Sequence, residues 1–154
     1  MQYHSAGILC ICPESLKLLI LKGKFHNKWS FPKGYIEKGE NTLSTALREL
    51  NEEIGIQLHH DAIISKNNEH ISLECNLHLP KPIKKVPSGI KRICFYMTYM
   101  CENTPIRLSR EHSQYRWVHI DDMKTMDLPD EYIEMAIIAT QTKESEYLKD
   151  VNVN

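Results

Sequence analysis

The chain has 154 residues, of which 42% are hydrophobic and 25% charged, and its formal net charge is −1. That length suits one domain spanning residues 1–154 with a core of its own, and the near-neutral balance argues against a broad electrostatic surface for nucleic acid. No apolar run approaches the roughly 20 residues of a membrane span, and the polar start Gln2, Tyr3, His4 does not read as a secretory leader, so a cytoplasmic protein with no membrane and no obligate protein partner is expected.

In chain order, residues 6–12 and 17–21 are apolar and flank Pro13, Glu14 and Ser15, the pattern of a strand hairpin. Cys10 and Cys12 fall in the first strand. With Cys75, Cys94 and Cys101 they make an odd number without metal-finger spacing, which fits free thiols in a reducing compartment. Residues 22–39, rich in glycine and polar groups, read as an irregular surface loop. A helix follows, because Leu43, Ala46, Leu47, Leu50 and Ile54 recur at spacings of three and four, with Asn41 or Thr42 able to cap its start and Gly55 its end.

Residues 56–65 and 71–79 have strand character, 80–89 form a basic, proline-containing loop, and 93–100 and 115–120 are further strands. A closing helix over 130–148 carries Tyr132, Met135, Ala136, Ala139 and Tyr147, and 151–154 read as a loose end. Strands outnumber helices and do not alternate regularly with them. The pattern therefore predicts an α+β architecture, a mixed sheet with helices packed on its faces.

The chemical signal lies on the first helix. At about 100° per residue Glu49, Glu52 and Glu53 share an arc beside the apolar stripe, near the C-terminal end where the helix dipole also disfavours negative charge. Such crowding costs stability on its own, whereas a hard divalent cation relieves it, since magnesium is held by carboxylates, waters and substrate phosphates. A solvated acidic face balanced by Arg48 and surface lysines is the alternative that composition leaves open.

The spacing favours the first reading. Gly34, Glu40, Arg48, Glu49, Leu50, Glu52, Glu53, Gly55 and Ile56 match every fixed position of the Nudix box, and the chain resembles that family. The resemblance implies a mixed β-sheet sandwiched between α-helices (α/β/α), binding of Mg2+ (or Mn2+), and hydrolysis of a phosphoanhydride. By the same resemblance Glu52 and Glu53 match the principal metal ligands and Glu49 a further ligand or candidate base. Glu40 would tie the loop to the helix, and Arg48 would orient a glutamate.

Three segments outside the box resemble the branch that cleaves diadenosine tetraphosphate asymmetrically, to ATP and AMP. Trp29-Ser30-Phe31-Pro32-Lys33-Gly34 would supply Lys33 to phosphate. Lys91 with Phe95 would supply a phosphate contact and an aromatic platform for adenine, although core packing of Phe95 and Tyr96 competes with that role. Residues 106–118, containing Glu111, His112, Tyr115 and Trp117, would supply Glu111 as a metal-site acid outside the box.

At most one of Tyr115 and Trp117 is expected to reach the site, with Trp117 assigned to the core. His26 and His112 flank matched motifs and could touch phosphate. Residues 66–89 depart from the branch pattern; Lys81, Lys84 and Lys85 could meet phosphate there, though a solvated basic loop is the favoured reading. The substrate expected is thus a nucleoside or dinucleoside polyphosphate. Capped RNA and diphosphoinositol polyphosphates are alternatives, and a non-catalytic nucleotide-binding module is a remote one.

Overall fold

The computed structural model describes the backbone of residues 2–153 and the side chains of residues 2–141. Strands β1 (Ser5–Ile11) and β2 (Leu18–Gly23) form the expected hairpin only at its closed end, where Ile11 pairs with Leu18. Beyond it they diverge. The segment expected as an irregular loop enters the gap and makes two short strands, β3 (Trp29–Ser30) against β2 and β4 (Lys33–Tyr35) against β1. The cause is hydrogen-bond accounting: the diverging strands expose main-chain groups that must be paired, and Ile8 N–H donates to Pro32 O at 3.0 Å in the gap.

Helix α1 (Thr42–Ile54) is followed by a stretch that is not the strand expected over 56–65. A 3-10 turn at His60–Ala62 interrupts it, with His59 Nδ1 accepting from Asp61 N–H, and only β5 (Ser65–Lys66) is extended, paired with β6 (Glu69–His70). The side-chain cap offered by His59 outcompetes extension there. Then come β7 (Ser72–His78), β8 (Ile90–Tyr99), β9 (His112–Val118), the short α2 (Ile120–Met123) and α3 (Asp130–Val153). The last helix continues through the residues expected as a loose end up to Val153, and the Tyr147 side chain lies outside the described residues.

The main sheet has the order β3-β2-β1-β8-β7, with β4 also on β1 and β9 on β2. It is mixed because β8 runs parallel to β1, from Ser5 opposite Ile93 to Ile11 opposite Tyr99, while its other pairings are antiparallel. The α+β expectation therefore holds. Successive residues of a strand face opposite sides, and β1 is buried on both. Ala6, Ile8 and Cys10 meet Ala46, Leu50 and Ile54 of α1 on one face. Leu9 and Ile11 meet Phe31, Phe95 and the α3 residues Tyr132 and Ala136 on the other.

The cysteines are free, four of them buried and Cys101 exposed. Among the described residues no helix is long and apolar enough to cross a membrane.

Candidate active site

Helix α1 is fixed at both ends. Asn41 Oδ1 accepts from Ser44 N–H at 2.8 Å and Ser44 Oγ accepts from Asn41 N–H at 3.0 Å, a reciprocal cap of the kind that contributes about 1 kcal/mol. At the other end Gly55 takes φ +73°, a left-handed conformation that favours glycine, and its N–H donates to Asn51 O at 3.0 Å. Thr42 Oγ1 and Tyr96 Oη, 2.7 Å apart, tie the first turn to β8. The helix thus delivers its acids to one end of the sheet in a set orientation.

There the three glutamates separate by role. Glu53 is buried, and one of its oxygens accepts the main-chain N–H of Lys33 at 2.9 Å. Glu49, one helical turn earlier, is mostly buried, and Gly34 passes so close to its carboxylate that any Cβ at position 34 would overlap it. Burial pushes the Glu53 carboxyl up to about 8, with Glu49 adding repulsion; burial also raises Glu49. Glu52 turns away, with 56% of its side chain exposed and its carboxylate 3.1 Å from Arg48.

Arg48 is the hub of the box. Its guanidinium forks onto Glu40 at 2.7 and 3.0 Å, and also donates to Glu49 at 2.9 Å and to the Tyr35 carbonyl at 3.0 Å. Glu40 further accepts from Glu37 N–H and Thr45 Oγ, both at 2.9 Å. The Arg48 hydrogen bonds hold the Glu40 carboxyl down near about 2. This fork ties the loop after β4 to the helix in a way that the point charge of a lysine cannot reproduce.

A cleft of about 870 Å³ opens beside these groups. Glu49, Glu53, Glu111 and His112 line one part of it, with His112 Nε2 3.9 Å from Glu53 and its Nδ1 3.2 Å from Ser109 Oγ. Lys33, Tyr35, Lys85 and Lys91 line another part, and His26 stands at its edge, exposed. Lys91 is buried although it is a cation, and burial followed by repulsion from Lys33 lowers it to about 7. Its Nζ lies 4.2 Å from the centroid of the Tyr35 ring, and Lys85 Nζ lies at the same distance from that ring.

Two expected substrate residues are elsewhere. Phe95 is wholly buried and packs edge-on against Phe31 at 5.6 Å and Tyr132 at 5.9 Å, so it supports the cleft from the core and presents no face to a base. Tyr115 and Trp117, two residues apart on β9, share a face of the strand; Trp117 packs on the α1 side and Tyr115 is 41% exposed outside the cleft lining. Of the basic residues in 66–89, Lys85 lines the cleft and Lys81 and Lys84 do not.

Tyr35 is the residue that sequence reasoning passed over. It occupies a variable position of the box, yet it lies two residues from Lys33 on an extended strand, and that period places both on one side.

Sheet and helices define an α/β/α sandwich with a cleft lined by both carboxylates and lysines. The NUDIX domain model matches residues 1–137, and the chain belongs to the Nudix family, whose members generally use divalent metals such as Mg2+. Among curated relatives it is similar to bis(5'-nucleosyl)-tetraphosphatase [asymmetrical] of Mus musculus, 37% identical over 109 residues, covering 71% of this chain and 66% of that protein. It is also similar to an RNA pyrophosphohydrolase of Ruthia magnifica, 29% identical over 126 residues, covering 81% of this chain and 68% of the relative.

The chain thus spans just under two thirds of the length of the mouse relative. Among solved structures, a C. elegans Ap4A hydrolase binary complex has the same fold, with a TM-score of 0.64 at 21% identity over 95% of this chain and 97% of that one.

Proposed function

We propose that this chain hydrolyses a phosphoanhydride of a nucleoside polyphosphate, with diadenosine tetraphosphate cut to ATP and AMP as the preferred reaction. The observation that carries the reading is that Glu49, Glu53 and Glu111 line one cleft together with Lys33 and Lys91. Clustered carboxylates around the buried Glu53, whose charge is disfavoured, fit a hard cation. Glu49, Glu53 and Glu111 would hold Mg2+ or Mn2+, whereas Glu52, expected as a principal ligand, lies outside the cleft lining. Such an ion, when bound, polarises a phosphoryl oxygen and offsets charge on the leaving phosphate.

The chain's own residues supply the rest. Lys33 and Lys91 bind non-bridging phosphate oxygens and orient the polyphosphate, while the Arg48 fork keeps Glu49 in place. Hydrolysis forms a bond from water oxygen to the phosphorus that carries one adenosine. The bridging P–O bond to the other three phosphates breaks, its electron pair stays on the departing ATP oxygen, and the water proton passes to a cleft carboxylate.

The tetraphosphatase relative supports the dinucleotide, and the RNA pyrophosphohydrolase relative supports a second reading, attack on the 5' phosphates of RNA. Incubating the protein with diadenosine tetraphosphate, capped RNA and 5'-triphosphorylated RNA at equal Mg2+ separates them. Equal yields of ATP and AMP at the highest kcat/KM support the first; faster release from either RNA overturns it.

A further inference from the structure

Between β7 and β8 the chain makes a turn that is tightly tied for a surface segment. Ile83 N–H donates to Val86 O at 3.2 Å and Val86 N–H returns to Ile83 O at 3.0 Å, which leaves Lys84 and Lys85 at the tip. Gly89 N–H donates to Val86 O at 3.1 Å, and Leu79 N–H to Gly89 O at 2.9 Å closes the base. Val86 is wholly buried, and Pro80, Pro82 and Pro87 restrict the backbone around it. The position of Lys85 is therefore set by its buried neighbour, and the turn aims it into the cleft while Lys84 stays outside the lining.

Lys85 and Lys91 then share one ring, each ammonium 4.2 Å from the centroid of Tyr35, and Lys33 crowds Lys91. The ammoniums of Lys85 and Lys91 stack on one ring, and Lys33 adds repulsion on Lys91 that the nearby Glu49 carboxylate only partly opposes. A ring face also leaves the other N–H donors of each ammonium unused. The cluster has the chemistry of a site for several phosphates in a row, one more than Lys33 and Lys91 can engage.

We propose that Lys85 is a specificity-determining contact that, with Lys91 on the same Tyr35 ring and Lys33 beside Lys91, selects substrates by the length of the phosphate chain, favouring four or more phosphates over two. The inference rests on the reading above that Lys33 and Lys91 hold the polyphosphate. A diphosphate is satisfied by these two lysines and the cation that Glu49, Glu53 and Glu111 would hold; only a longer anion also reaches Lys85. A merely structural cation on Tyr35 would affect substrates of every length alike.

The test compares wild type, Lys85→Met and Lys85→Arg on diadenosine tetraphosphate and on ADP-ribose, which has two phosphates. The ratio of kcat/KM between the two substrates is expected to fall about tenfold in Lys85→Met, the worth of one charge-assisted contact, and to recover in Lys85→Arg. An unchanged ratio overturns the proposal, whatever the absolute rates. Calorimetric titration with inorganic linear tetrapolyphosphate and pyrophosphate in Mg2+ gives a second reading free of turnover: Lys85→Met weakens tetrapolyphosphate more than pyrophosphate, and equal weakening or none overturns the proposal. Should wild type hydrolyse neither nucleotide, the proposed function fails, and the calorimetric comparison still decides the role of Lys85.

Discussion

Lys33 donates its main-chain N–H to Oε2 of Glu53 at 2.9 Å, so one residue of β4 holds a cleft acid with its backbone while itself lining the same cleft. Glutamine at position 53 keeps an oxygen for that N–H and removes the charge. Glu53→Gln is accordingly expected to lower kcat by about a hundredfold or more while the melting temperature stays level or rises. Steady-state kinetics beside a thermal melt check both; turnover near wild type would remove Glu53 from the chemistry.

Lys91 should cost stability in a pH-dependent way. Its folded pKa is lowered to about 7 from 10.5, so between those values the unfolded chain binds the extra proton and wild-type stability rises with pH. Below about 7 the full cost, a few kcal/mol at about 1.4 kcal/mol per unit, is present. Lys91→Met should thus melt higher than wild type at pH 6.5, with the advantage shrinking as the pH approaches 10, and should bind polyphosphate more weakly. A difference in melting temperature that does not vary with pH would contradict this assignment.

Gly34 is required by the Glu49 carboxylate, which occupies the space a Cβ would take. Gly34→Ala is expected to displace Glu49 and lower kcat at least tenfold, at a cost of about 1–3 kcal/mol from overpacking. Chemical denaturation and kinetics on the same sample check the two effects, and an alanine variant with native kcat would show that Glu49 has freedom to move.

Phe95 offers a test of position. Because it is enclosed by Phe31 and Tyr132, Phe95→Ala should cost about 3–5 kcal/mol in urea unfolding and leave KM for diadenosine tetraphosphate within about twofold at a temperature where the variant is folded. A large rise in KM with little change in stability would reverse this and make Phe95 a base platform.

Binding of metal should be visible without turnover. Mg2+ at about a hundred times its dissociation constant should stabilise wild type by about 2.7 kcal/mol, and the effect should be lost in Glu53→Gln. EDTA should abolish hydrolysis and excess Mg2+ restore it. Melts in Mg2+ and in EDTA that coincide for wild type would exclude the carboxylate cluster as the binding place.

The parts of the molecule legible in the sequence are those whose causes are local. The α1 stripe, the cap at Asn41 and the stop at Gly55 depend on residues within a few positions of one another, and the acids of the box ride on that helix at known angles. Segments governed by distant pairing were less legible. Residues 22–39 looked like a loop because their partners, β1 and β2, are supplied by another stretch, and the direction of Phe95 follows from sheet register rather than composition. Tyr115 and Trp117 are two apart on β9 and share a side, so strand alternation alone does not separate them in facing.

The parallel pairing of β1 with β8 also sets an order of assembly. Ser5 meets Ile93, so the strand that begins the chain must wait until most of the polypeptide exists before its second edge is covered. The glutamate helix can coil early from contacts within itself, but Lys91 and Glu111 reach its neighbourhood only after that long loop has closed, the kind of non-local contact that slows folding. A chain halted after residue 60 would hold the box and Lys33 but neither Lys85, Lys91 nor Glu111, so recognition of a long phosphate chain is a property acquired late in synthesis.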